Sequence, residues 1–150
     1  TDLWSIMKNQ IFFEDLTEGT LIPPLTKNPT TQQLVKYAGA SGDFYQIHYD
    51  KDYAKSNGLP TVIIHGALKN AWFGQIITDW IGSSGELKKL SVQYRGMDSP
   101  GNPLTIEGRV VKKWSDNGQN FVEAELWLKN ANDERTTKGS AIFSLKSKQK

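Results

Sequence analysis

Asp43 and His48 lie five positions apart within Tyr37–Asp50, a stretch that reads YAGASGDFYQIHYD. A carboxylate and an imidazole this close on an irregular, Gly-led hinge suit general acid–base chemistry on a water molecule. Imidazole has an ordinary pKa near neutrality, so His48 can gain and lose a proton at working pH. Asp43 can accept a hydrogen bond from the same water and fix its direction. A further feature follows at Ile64-His65-Gly66, which opens a long apolar segment. At the start of a helix there, Gly66 would sit where backbone N–H groups lack internal partners and the dipole is positive. Glycine has no side chain, so a ligand can come close to those groups.

The same residues resemble a known family. Ser41-Gly42-Asp43, Ile47-His48 and Ile64-His65-Gly66-Ala67-Leu68 are similar to the signature of MaoC-like (R)-specific enoyl-thioester hydratases and dehydratases. Phe13-Glu14-Asp15-Leu16 with Glu18-Gly19 resembles the family's amino-terminal strand and turn, which extends the resemblance over nearly the whole chain. The departure lies in the hinge, where the family's Gly-Asp-x-Asn-Pro-x-His reads Gly42-Asp43-Phe44-Tyr45-Gln46-Ile47-His48.

The resemblance implies an α+β hotdog fold, an antiparallel sheet wrapped around a long central helix. It implies reversible addition of water to trans-2-enoyl thioesters, giving (R)-3-hydroxyacyl thioesters in fatty acid metabolism. The carrier would be coenzyme A or acyl carrier protein. By the same resemblance Asp43 and His48 hold the catalytic water, and the Gly66 N–H binds the thioester carbonyl. Tyr45, Gln46 and His65 are expected to brace this pair or line the pocket. Neither a cofactor nor a metal is expected beyond the thioester. The expected assembly is a homodimer, or a heteromer with a second hotdog chain.

The elements that must position these residues are legible from periodicity. Pro23-Pro24 and Asn28-Pro29 mark an extended lead-in. Thr30 and Gln33 are spaced as a capping box, and Leu34, Tyr37 and Ala38 supply the apolar face of a first helix. That helix should stop within Gly39–Gly42. Asp50 can cap a short second helix that ends near Asn57-Gly58. Between Gly66 and Ile81 the apolar residues spread around the helical wheel, which predicts a helix buried on most of its circumference.

Three later runs alternate with period two: Leu90, Val92 and Tyr94; Val122, Ala124, Leu126 and Leu128; Ala141, Phe143 and Leu145. Turn-rich joints at Asp116-Asn117-Gly118 and Asn130–Asp133 favour antiparallel neighbours. A central helix followed by such a meander is an α+β layer architecture, reached independently of the resemblance.

Composition narrows the classes. A chain of 150 residues fits one domain, 1–150, and 37% hydrophobic with 11% aromatic residues fits a packed core. A formal charge of +2 gives no argument for nucleic acid, and Lys146, Lys148 and Lys150 read as a frayed, solvated tail. Without cysteine there is no disulfide, thiolate metal site or cysteine nucleophile. No apolar run reaches the ~18 to 20 residues of a membrane span, and Thr1–Asn9 does not read as a signal peptide. A soluble, cytoplasmic protein is expected.

His65 together with His48 and Asp43 invites a metal reading, but no HExxH-type pair occurs. Bracing or helix capping is the expected role. Trp72 and Trp80 read as core, Trp4 and Trp114 have no assigned role, and neither Arg95 nor Arg109 is assigned to a phosphate. Two other functional classes stand beside the hydratase. One is a non-catalytic acyl-binding subunit of a heteromeric hydratase. The other is a hotdog thioesterase, which would need a base on the central helix, where only Asp79 is offered.

Overall fold

The computed structural model describes residues 10–149. The expectations for Thr1–Asn9, Trp4 and Lys150 lie outside those residues. Phe13–Asp15 forms a single 3-10 turn, and the first strand, β1, is Leu21–Lys27. The expected strand at Phe13–Leu16 is therefore corrected, and the Pro23-Pro24 segment takes its place. Prolines are tolerated there because β1 is an edge strand and its register shifts between Ile22 and Leu25.

Helix α1 (Thr31–Ser41) is capped by the Thr30 hydroxyl, which accepts the Gln33 N–H at 3.2 Å. It buries Leu34 and Ala38 and runs through Gly39, ending only at Gly42 with a left-handed φ of 79°. Helix α2 (Lys51–Ser56) is capped by Asp50, which accepts the Tyr53 N–H at 3.0 Å. An extended segment, 61–65, outside the sheet then leads into α3 (Gly66–Ile81).

Strands β2 (Gly85–Tyr94), β3 (Leu104–Asp116), β4 (Gln119–Lys129) and β5 (Arg135–Leu145) complete one antiparallel sheet of order β1-β3-β4-β5-β2. The sheet wraps around α3 in the expected hotdog arrangement. Val122, Ala124, Leu126 and Leu128 from β4 and Ala141 and Phe143 from β5 face Phe73, Ile76 and Ile77 of α3 in one core. Each such large side chain, once buried, contributes about 1.5–3 kcal/mol.

Helix α3 is buried around most of its circumference, as expected, through Leu68, Lys69, Trp72, Phe73, Ile76, Ile77 and Ile81. Ala67 and Ala71, read as part of that apolar circumference, instead face outward with Asn70, Thr78 and Asp79. A second expectation is corrected at the other end of the chain. The C-terminal tail is hydrogen-bonded, not frayed, as far as Lys148. Phe13 N–H donates to Lys146 O at 3.0 Å, Lys148 N–H donates to Glu14 at 3.1 Å, and the Lys148 ammonium pairs with Asp15.

Topology also makes a structural demand that the strand pattern alone does not reveal. β2 and β3 are consecutive in the chain but are not neighbours in the sheet. The connection 95–103 must therefore cross the end of the sheet, and it carries Asp98 to the start of α3, where Asp98 O accepts the Ile64 N–H at 2.8 Å.

Candidate active site

The hinge between α1 and α2 holds Asp43 and His48 in place through local hydrogen bonds. Ser41 Oγ donates to Tyr37 O at 2.7 Å and accepts the Asp43 N–H at 3.2 Å. Asp43 Oδ1 accepts the Tyr45 N–H at 3.3 Å, an Asx-type turn that leaves the other carboxylate oxygen available. Gln46–His48 then makes one 3-10 turn, which swings the His48 ring inward.

His48 is almost fully buried, and its Nδ1 lies 2.7 Å from the Ile63 carbonyl. A carbonyl can only accept, so Nδ1 carries the proton and Nε2 presents a lone pair. That lone pair faces Asp43 Oδ2 at 3.8 Å, while the Asp43 side chain is 48% exposed. The separation is too long for a direct hydrogen bond and fits two acceptors that share one water.

His65 lies directly behind this pair. Its ring stacks on His48, with centroids 3.9 Å apart and planes inclined by 21°, and Tyr37 meets it edge-on at 4.8 Å. His65 Nε2 donates to the Asp43 carbonyl at 3.3 Å, and its Nδ1 is buried without a partner. Burial, and then the neighbouring His48, lowers the His65 pKa below the ordinary histidine value. Asp43, His48 and His65 each bring one potential ligand atom within 4.8 Å of the others.

Gly66 is the first residue of α3. The His65 carbonyl points down the helix and accepts the N–H groups of Leu68 at 3.1 Å and Lys69 at 3.2 Å. In a trans peptide the N–H opposes the C=O, so the Gly66 N–H points out of the helix mouth. Among the described residues it has no acceptor. The site thus combines an acid–base pair and a free N–H donor on adjoining segments, because the His65 ring that stacks on His48 immediately precedes Gly66.

Tyr45 lies edge-on to His48 at 6.1 Å and to Tyr53 at 6.2 Å. The Tyr53 phenol, chiefly through charge and secondarily through hydrogen bonding, raises the pKa of Tyr45 above the ordinary tyrosine value. With Phe44 and Tyr49, both exposed, it forms an aromatic collar on the hinge. Gln46 is exposed on the same turn. Asp79, the one carboxylate available for a thioesterase base, sits 13 residues beyond Gly66, or about 20 Å along the helix axis. It accepts a hydrogen bond from Gln75 there and takes no part in the site.

Sequence reasoning missed three contributors. Tyr94, read only as one position of an alternating strand, is exposed at the end of β2 and donates its hydroxyl to Gly66 O at 2.7 Å. Lys69 and Asp98 form a buried ion pair of 3.0 Å one turn below Gly66. Hydropathy periodicity carries no signal for a charged residue on a buried helix face.

Comparison with known proteins places the chain in a family and agrees with its fold. Residues 15–132 match the MaoC like domain family. The chain is 35% identical over 80 residues to a fatty acid synthase subunit beta of Gibberella zeae, a match covering 52% of this chain and 4% of that protein. It is 26% identical over 97 residues to the 3-oxo-4,17-pregnadiene-20-carboxyl-CoA hydratase beta subunit of Mycobacterium tuberculosis, covering 62% of this chain and 72% of that subunit. The fold superposes on the R-hydratase PhaJ1 of Pseudomonas aeruginosa with a TM-score of 0.83 at 21% identity, over 93% of this chain and 88% of that one. With the family match spanning most of its length and the fold in common, this chain belongs to the MaoC-like domain family.

Proposed function

We propose that the chain is a hydro-lyase that adds water reversibly to trans-2-enoyl thioesters, giving (R)-3-hydroxyacyl thioesters. One observation carries the reading. His48 Nε2 and Asp43 Oδ2 stand 3.8 Å apart, with the histidine tautomer set by the Ile63 carbonyl, beside the outward N–H of Gly66. A water that donates one hydrogen to each acceptor turns its own lone pairs toward the β-carbon. Its proton passes to the Asp43–His48 pair as the C–O bond forms. The pair then returns a proton to the α-carbon, so the elements of one water are added. Positioned proton transfer of this kind is worth roughly 10² to 10⁴-fold. Negative charge develops meanwhile on the thioester oxygen, and the Gly66 N–H receives it, a donor worth about 2.7–4 kcal/mol in the transition state.

The Tyr45-Gln46 pair shapes the entrance to this site and its preference among acyl groups. Two copies join through the edge strand β2, whose outward row of backbone groups otherwise goes unpaired. A second reading, an acyl-binding subunit within a heteromer, is favoured by the likeness to a hydratase named as a beta subunit.

Crotonyl-CoA offered to the purified protein tests these readings. Loss of enoyl absorbance without release of free thiol supports the hydratase, and thiol release would replace it with a thioesterase. A chain inert alone but active once mixed with a second hotdog chain would support the subunit reading. Light scattering that finds only single chains at working concentration would remove the dimer.

A further inference from the structure

The mouth of α3 contains more machinery than the hinge. Lys69 and Asp98 are 3% and 1% exposed, and they meet at 3.0 Å beside the first turn of the helix. A cation there opposes the positive end of the helix dipole, and burying two charges is costly even when they pair. Packing alone would place an apolar residue at this position, as α3 does at its other inward positions, Leu68, Trp72 and Phe73. What the ion pair provides instead is a set of directed bonds. Asp98 accepts from Lys69 and from the Thr136 hydroxyl at 2.7 Å, and its own carbonyl accepts the Ile64 N–H at 2.8 Å. Lys69 also reaches Gly96 O at 3.4 Å, and its ammonium lies 5.4 Å from the Tyr94 ring centroid.

These bonds enclose Gly66 from two sides. Upstream, Asp98 fixes the chain at Ile64, two residues before Gly66. Downstream, Tyr94 binds the Gly66 carbonyl and lies so close that a Cβ at Gly66 would meet its ring at 3.1 Å. Lys69 links the two, since its backbone N–H bonds the His65 carbonyl while its side chain bonds Asp98. The direction of the Gly66 N–H follows from that peptide plane.

We infer that Lys69, Asp98, Thr136 and Tyr94 are positioning residues, a lock that aims the Gly66 N–H at the thioester oxygen. The inference rests on the hydratase reading for its chemistry, but the geometry of the lock can be measured without substrate. Transition-state donors must be held before the charge develops. A lock of charges confers directionality that an apolar plug of equal volume does not.

The test replaces the buried cluster with Lys69→Met, Asp98→Leu and Thr136→Val together, and separately makes Tyr94→Phe. Apolar replacement of a complete buried ion pair generally preserves folding, so the triple variant should melt near the wild type. Its kcat on an enoyl thioester should fall roughly 10-fold, part of the about 10² to 10³-fold that complete loss of such a donor costs. KM should stay within about twofold, the pattern of an interaction made only in the transition state. Amide relaxation by NMR supplies the substrate-free readout. The Gly66 order parameter should drop from about 0.85 toward 0.6 in the variants. Should the triple variant fail to fold, Tyr94→Phe carries the test alone, because that side chain is exposed. Wild-type kcat together with an unchanged Gly66 amide in the folded variants would overturn the lock. An inert wild type with a loosened Gly66 in the variants would instead overturn the hydratase reading and leave the lock standing.

Discussion

Two aspartates flank the start of α3, and they are treated in opposite ways. Asp43, on the hinge, is about half exposed and ends 3.8 Å short of His48, with one oxygen left for water. Asp98, on the crossing connection, is buried and accepts from Lys69 and Thr136. The first keeps an oxygen open to water, which suits a group that exchanges partners. The second is shut away from water and held through Oδ2 by two donors from different segments, which suits a group that stays in place. Placing both at one helix mouth separates reactivity from rigidity, and substitutions at the two sites should separate activity from stability.

The largest effect is expected on the reactive side. Asp43→Asn and His48→Ala should each lower hydratase turnover by about 10² to 10⁴-fold while the protein stays folded, as followed by crotonyl-CoA absorbance and circular dichroism. Unchanged turnover in either variant would dissolve the contrast between the two aspartates. On the rigid side, Asp98→Ala leaves Lys69 buried and unpaired, which should cost about 3–5 kcal/mol in stability. Asp43→Ala, measured in the same denaturant titration, should change stability far less. Equal losses would mean that Asp43 is structural too.

A smaller, graded effect should come from His65. Burial and His48 hold it neutral with a lowered pKa, whereas in the unfolded chain it titrates near the ordinary value of about 6.5. As pH falls, the unfolded state takes up the proton first. Stability is therefore full above that value and declines as pH drops toward the lowered folded value. Thermal melts from pH 7.5 to 5 should show the decline, and His65→Phe, which keeps a stacked ring, should flatten it.

The smallest effect probes the hinge. Gln46 is the first residue of its 3-10 turn, and among the described residues its N–H has no acceptor. Tyr45 before it has φ −62° and ψ 125°, a conformation compatible with a following proline. Gln46→Pro should therefore be tolerated and stabilise by about 0.4–1 kcal/mol through the unfolded chain. The double change Tyr45→Asn, Gln46→Pro should shift acyl preference more than turnover on the best substrate. A destabilised Gln46→Pro would show that the hinge is braced differently from the family pattern.

Local chemistry made the reactive half legible. Thr30, Asp50 and Gly42 end or begin helices through their own hydrogen bonds or backbone angles, so the hinge between α1 and α2 follows from residues near it in the chain. The alternation in β4 and β5 likewise exposes the sheet, because a strand shows one face to α3 and the other outward. The proline-rich β1 escaped because its edge position, not its own sequence, makes Pro23-Pro24 acceptable.

Sequence by itself therefore determined the hinge, the Asp43–His48 spacing, the helix that begins at Gly66 and the antiparallel character of the sheet. Tertiary structure alone decided the strand order, the outward face of α3 and the meeting of Asp98 with Lys69 and Thr136, which lie 29 and 38 positions from it along the chain. It also decided that His48 and His65 stack in opposite tautomers, since each proton is set by a carbonyl from another segment. The physical reason is range: caps, turns and alternation are written within a few residues, whereas a buried charge is acceptable only where the fold delivers its partner.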